Sequence, residues 1–136
     1  MASLMNNAII SISRQEFAIL KCNLQKKKRA YIVELDGNNI QSWNDYIIQV
    51  QNKFKFPTLF DSIDGYLDWM TDLDWLDSDE YVMFITNFNQ FFKHDIETKN
   101  AIIDNFKEII LPFWQDGVKS EVIGGKPKPF MLYLVN

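Results

Sequence analysis

The sequence predicts a small α/β domain. A three-stranded parallel sheet carries helices around it in the order β-α-α-β-α-β, behind an N-terminal extension. Three observations predict this. Tyr31–Leu35, Tyr81–Thr86 and Phe130–Val135 are short runs rich in β-branched and apolar residues. Between them, apolar residues recur at helical spacing. The middle run is almost wholly apolar, as a strand buried on both faces should be. Strands separated by helices favour a parallel sheet with right-handed crossovers.

Each element has its own signal. In residues 1–30, Ala8–Ile12 reads as a short strand and Gln15–Leu24 as a short helix. Together they form an extension packed against a main domain of residues 31–136. Tyr31–Leu35 ends at Asp36-Gly37-Asn38, which is turn chemistry. Ser42 starts a helix with Asp45 as its capping partner. Trp43, Tyr46, Ile47, Val50 and Phe54 face the core, and Pro57 closes this helix by pushing Phe56 toward an extended conformation. A second helix is expected over Ser62–Leu73, with Trp75 and Leu76 tucked under its end. Asn87–Lys93 is a loop or one helical turn. A long helix starts at Asp95 or Glu97, with Ile102, Ile103, Phe106, Ile109 and Ile110 inward, and Pro112 kinks or ends it. Gly124–Pro129 is an exposed loop before the last strand.

Composition narrows the function. At 136 residues and 47% hydrophobic, the chain is long and apolar enough for one sizeable core. The net charge of −4 argues against direct nucleic-acid binding, which needs a basic footprint. One cysteine, Cys22, allows no internal disulfide and fits a reducing, cytoplasmic location. No secretory leader and no membrane span is expected. Lys26-Lys27-Lys28-Arg29 reads as a solvated basic turn before a strand.

The parts of an enzyme are missing. His94 and Cys22 are the single histidine and cysteine, and nothing in the sequence brings them together. No phosphate-cradling glycine loop follows a strand. Asp72-x-Asp74 and Asp77-x-Asp79-Glu80 superficially resemble a calcium loop, but the required sixth-position glycine is absent, and Trp75 and Leu76 interrupt the ligands. No metal and no cofactor is therefore expected.

The segment from Leu59 to Glu80 is the exception to this blandness. It holds Asp61, Asp64, Asp68, Asp72, Asp74, Asp77, Asp79 and Glu80 and no Lys or Arg. The first four fall at i, i+3, i+7 and i+11, within an arc of roughly 80° on one helix. A face serving only solubility would mix signs, so a cationic partner is expected.

Phe56-Pro57, a short aromatic loop, then Ile63-Asp64-Gly65-Tyr66-Leu67-Asp68-Trp69-Met70-Thr71-Asp72-Leu73-Asp74-Trp75-Leu76 resembles the barstar family. The resemblance covers roughly residues 31–135, including the Tyr81–Ile85 strand and Asn105-Phe106-Lys107-Glu108. It implies a small α/β inhibitor of a ribonuclease such as barnase, in which the acidic helix and the loop before it plug the nuclease active site. By position Asp64 and Asp68 match the two key helix aspartates, with Asp68 deepest, and Glu108 matches a peripheral acidic contact. The partner-binding set implied is Phe60 and Asp61 in the loop, Ile63, Asp64, Leu67, Asp68 and Thr71 on the helix, Asp72 as a rim charge, and Glu108. The loop Pro57–Asp61 is one residue shorter than the family's and has no glycine, and Leu67 precedes Asp68. The partner is therefore open between a barnase-like enzyme and another basic nuclease toxin, met as a monomer in a 1:1 complex. The alternative function is a regulatory or scaffolding module that uses the same helix on another basic surface.

Overall fold

The three apolar runs form parallel strands, but a fourth strand joins them. The computed structural model describes residues 6–136, so residues 1–5 of the expected extension lie outside the described residues. The strands are β1 (Ile9–Ile12), β2 (Ala30–Asp36), β3 (Glu80–Thr86) and β4 (Phe130–Val135). Their order in the sheet is β1-β4-β3-β2, and every pair is parallel. The expected three-stranded sheet is thus corrected to four. β1 lies against β4 with Ile9 opposite Leu132 and Ile12 opposite Val135. It starts the element order one βα unit earlier than the sequence suggested.

The added unit explains why β3 is apolar on both sides. Helix α1 (Arg14–Gln25) is capped by Ser13, whose side chain accepts from the Glu16 amide while Glu16 reaches back to the Ser13 amide. It crosses one face of the sheet. There Leu24 joins Val82, Phe84 and Val135, with Phe17 and Leu20 packed alongside. The Phe17 and Phe84 rings meet edge to face at 4.8 Å. The alternate β3 residues, Tyr81, Met83 and Ile85, enter the larger core on the opposite face. Helices α2 (Trp43–Lys53), α3 (Ile63–Met70) and α4 (Ile96–Asn105) cover that side.

Turn chemistry closes the sheet ends. A Cβ on Gly37 would stand 2.5 Å from the Asn87 carbonyl oxygen, so only glycine lets the ends of β2 and β3 approach this closely. Asp36 accepts from the Asn38 amide and from Asn87 Nδ2, both at 2.9 Å.

Pro112 does not end the long helix. Proline has no N–H to donate four residues back. The helix runs on through π turns at Phe106–Ile110 and Phe113–Gly117 into α5 (Val118–Glu121). Wider turns rotate the register. Ile102, Phe106 and Ile110 face the core as expected, but Ile109 turns outward and is 42% exposed.

Candidate functional site

The site starts from α2. Ser42 caps it, accepting from the Asp45 amide at 3.1 Å. The helix ends at Lys53, where Lys55 turns left-handed (φ 55°) and the Phe56 amide donates back to the Gln51 carbonyl at 3.0 Å. This turn, rather than Pro57, closes the helix. Two α2 side chains then hold the loop that follows. The buried Gln51 amide grips the Phe60 backbone from both sides: its Nε2 donates to the Phe60 carbonyl at 2.7 Å, and its Oε1 accepts from the Phe60 amide at 2.9 Å. Trp43 Nε1 donates to the Asp61 carbonyl at 2.6 Å. The loop lacks a glycine, but the helix supplies one. A Cβ on Gly65 would meet Phe60 Cγ at 2.4 Å, so the phenyl ring lies directly on the first turn of α3.

Helix α3 begins at the Ser62 cap, whose Oγ accepts from the Gly65 amide at 3.1 Å. Asp64 sits in the first turn, where the helix dipole favours a carboxylate. Tyr66 and Met70 are fully buried. The Tyr66 hydroxyl meets that of Tyr46 on α2 at 2.7 Å, and burial pushes both phenols above their usual titration range.

The helix is shorter than its sequence pattern suggests. Thr71 Oγ1 donates to the Leu67 carbonyl at 2.7 Å, and Leu73 is left-handed (φ 54°), so α3 stops at Met70 instead of Leu73. The four-carboxylate stripe is corrected accordingly. Asp64 and Asp68 stand one turn apart on α3. Asp61 precedes the cap, and Asp72 lies in the turn beyond the helix, where its Oδ1 accepts from the Asp74 amide at 3.2 Å.

Asp61, Asp64 and Asp68 are exposed. Among the described residues, their carboxylates accept no hydrogen bond and form no ion pair. Ile63 is 49% exposed and Phe60 41%, whereas Leu67 and Thr71 are half-buried. Glu108 is exposed on the first π turn and does not line the groove that Asp68 lines. The structure thus brings the loop and helix residues together, with Glu108 on a separate element.

Three of the other acids, Asp77, Asp79 and Glu80, are used inside the chain. Arg29 bonds Asp79 at 2.9 Å and Asp77 at 3.2 Å, and Lys27 bonds Glu80 at 3.0 Å. Lys27 and Arg29 of the basic turn 26–29 are therefore internal partners for the far end of the acidic segment, while Lys26 and Lys28 are exposed.

Sequence reasoning missed the loop clamp and two apolar tips. Gln51 carried a signal: a glutamine on the buried stripe of an amphipathic helix must find partners for both ends of its amide. Leu59, 78% exposed, and Ile123, fully exposed, carried none, since only the three-dimensional course of their loops leaves them outside. Trp114 is core, 4% exposed, with Nε1 donating to the Met70 carbonyl at 2.9 Å.

The surface has the makings of a binding face. Cys22 is exposed on α1, across the sheet from α4, whose start His94 precedes. Among the described residues, no three His, Cys, Asp or Glu side chains converge as metal ligands, and no helix is long and apolar enough to cross a membrane. The family model described as barstar (barnase inhibitor) matches residues 30–123. No curated protein and no solved structure matches the chain.

Proposed function

We propose that this chain, which belongs to the barstar family, binds a basic nuclease toxin and occludes its active site. The partner is a ribonuclease, and the carboxylates of α3 stand in for substrate phosphates. The observation that carries this reading is the state of Asp61, Asp64 and Asp68. They are ionisable, exposed and unpaired, on a helix and loop fixed from beneath by Tyr66, Gln51 and Trp43. A preorganised anionic face loses little on meeting guanidinium groups, and such charge-assisted bonds are short and strong. A one-signed field also speeds encounter with a basic partner.

Asp68 is the deepest contact, Asp64 its neighbour, and Phe60, Asp61, Ile63, Leu67 and Thr71 surround them. Asp72 and Glu108 are rim charges. Inhibitor and toxin meet one to one in the cytoplasm, a compartment that a single unpaired cysteine suits.

The test is a pulldown from native lysate with wild type and the Asp64→Ala, Asp68→Ala variant, followed by ribonuclease assays on the captured protein. A small basic ribonuclease captured and inhibited by wild type alone is expected. Equal capture by both baits moves binding off α3 and favours a regulatory module over an inhibitor.

A further inference from the structure

The two edges of the sheet are built differently. β2, at one edge, carries Glu34 and Asp36 and follows the basic turn 26–29. Charges of this kind keep an edge strand from pairing with another chain. β1, at the other edge, has no such guard: from Asn6 to Ser13 there is no charged residue, no proline and no glycine. Ala8 and Ile12 turn their carbonyls to β4, accepting from the Leu132 amide at 3.1 Å and the Asn136 amide at 3.3 Å. By the alternation of a strand, the backbone groups of Ile9 and Ser11 point away from β4. Among the described residues they meet no partner. The long helix leaves this edge open, since a groove of about 610 Å³ separates Ala8 and Ile9 from Ile103 and Leu111.

The opposite face of β1 is open too. Ile9 packs on the larger core and Ile12 on the smaller, so Ile10 lies on the α1 side of the sheet. Helix α1 sits over β2 and β3, where Lys21 meets Glu34 at 2.6 Å and the Phe17 ring meets Phe84. Ile10, beside Tyr133 in register, lies beyond this cover and is 40% exposed.

We propose that the free edge of β1 pairs with β1 of a second copy of this chain, antiparallel and about a two-fold axis, so that two four-stranded sheets become one. The outward backbone groups fix the register. Ile9 of each copy exchanges both backbone bonds with Ser11 of the other, and Ile10 faces Ile10 across the axis as a non-hydrogen-bonded pair. Side chains come closest at such a pair, so the exposed isoleucine is covered by its own counterpart. An uncharged edge meets its own copy without like-charge repulsion, and it offers no acid to a basic nuclease, which favours the second copy as occupant. The contact is short, below the area of a standard interface, so association is weak. No residue of α3 takes part. Each copy keeps its own acidic face, and the pairing stands or falls independently of the nuclease reading.

Sedimentation of the full chain from about 10 µM to about 1 mM should show the mass rising from monomer toward dimer, with a dissociation constant on the order of 100 µM. Ser11→Pro removes only an outward N–H, leaves the β1–β4 bonds in place, and should weaken association at least about tenfold. Ile10→Lys puts two ammonium groups at the axis and should weaken it as much, with circular dichroism showing that both variants stay folded. Cross-linking tests the register by a gain of signal. In a Cys22→Ser background under oxidised glutathione, Ile10→Cys should form a covalent dimer at least about fivefold faster than Ser11→Cys. The α-carbons of a non-hydrogen-bonded pair stand about 4.5 Å apart, inside the disulfide range, whereas Ser11 faces Ile9 rather than itself. A chain still monomeric at the highest concentration, dimers that keep their affinity in Ser11→Pro or Ile10→Lys, or equal cross-linking at the two positions would each overturn the proposal.

Discussion

Eight acidic residues lie between Leu59 and Glu80, and the fold treats the two ends of that stretch oppositely. Asp77, Asp79 and Glu80 each meet a cation from the turn between α1 and β2. Asp61, Asp64 and Asp68 meet none among the described residues. Both groups are read from one unbroken acidic run, and only three-dimensional neighbours separate them. The first group is matched by cations in the turn that enters β2, beside the start of β3. The second group gains nothing from its own chain, and like charges one turn apart cost a helix roughly 0.2–0.5 kcal/mol. Under the function proposed above, that cost is offset in the complex.

The largest expected effect breaks the comparison directly. With the captured nuclease as titrant, Asp68→Ala should weaken binding by about 2–5 kcal/mol, a range set partly by measurements on this family's own complexes. Asp79→Ala should leave affinity unchanged by calorimetry. Equal losses would mean that paired and unpaired acids contribute alike, and the distinction would fail.

The underside of α3 gives the next effect. The Tyr46 and Tyr66 phenols are raised by burial, so they stay neutral in the folded chain at a pH where the unfolded chain ionises them. The unfolded state then holds fewer protons, and stability falls as pH rises above about 10, by about 1.4 kcal/mol per pH unit for each phenol. Stability is full below that pH. Denaturant melts from about pH 9 to 11 should show this slope, and Tyr46→Phe with Tyr66→Phe should make it shallower, the raised Tyr31, Tyr81 and Tyr133 phenols keeping the rest. An unchanged slope would show that α3 is not anchored through these hydroxyls.

Gln51→Ala acts on the loop. It removes two hydrogen bonds from the Phe60 backbone and should lower stability by about 1–2 kcal/mol. Hydrogen exchange should show the Phe60 amide losing protection while the Ile85 amide keeps its own. If Phe60 stays protected, the clamp does not hold the loop.

The smallest effect sharpens the paired side. Arg29→Ala frees Asp77 and Asp79 at an exposed site, where such pairs contribute little. The melting temperature should stay where it was, and association with the basic partner should become faster at low salt and unchanged at high salt. A large loss of stability would make the ion pairs structural and weaken the contrast drawn above.

Much of this was legible in the residues. β2, β3 and β4 stand where their apolar runs are, and β3 is buried on both faces as its composition required. The strand and helix expected in the extension also form. What the sequence hid was where they go. A strand of four residues carries no information about its neighbour, so β1's seat beside β4 could not be read from Ile9–Ile12 alone. The end of α3 was hidden for a different reason. Leu73 and Asp72 continue the helical periodicity, yet Leu73 takes a left-handed backbone conformation, which a leucine does not advertise. At Pro112 the local rule was sound, but widened turns absorbed the missing N–H, and Ile109 was misplaced as a result.

The seat of β1 also constrains the order of folding. Asn7 accepts from the Phe130 amide across 123 positions of sequence, and its Nδ2 donates to the Leu111 and Lys128 carbonyls. In the sheet β1 can pair only with β4, and β4 fills the gap between β1 and β3. During synthesis, β1 therefore waits for β4. A nascent chain stopped before Phe130 holds β2 and β3 but leaves β1 unpaired and one edge of β3 open. Closure of the sheet, and with it the platform beneath α3, follows only once β4 has been made.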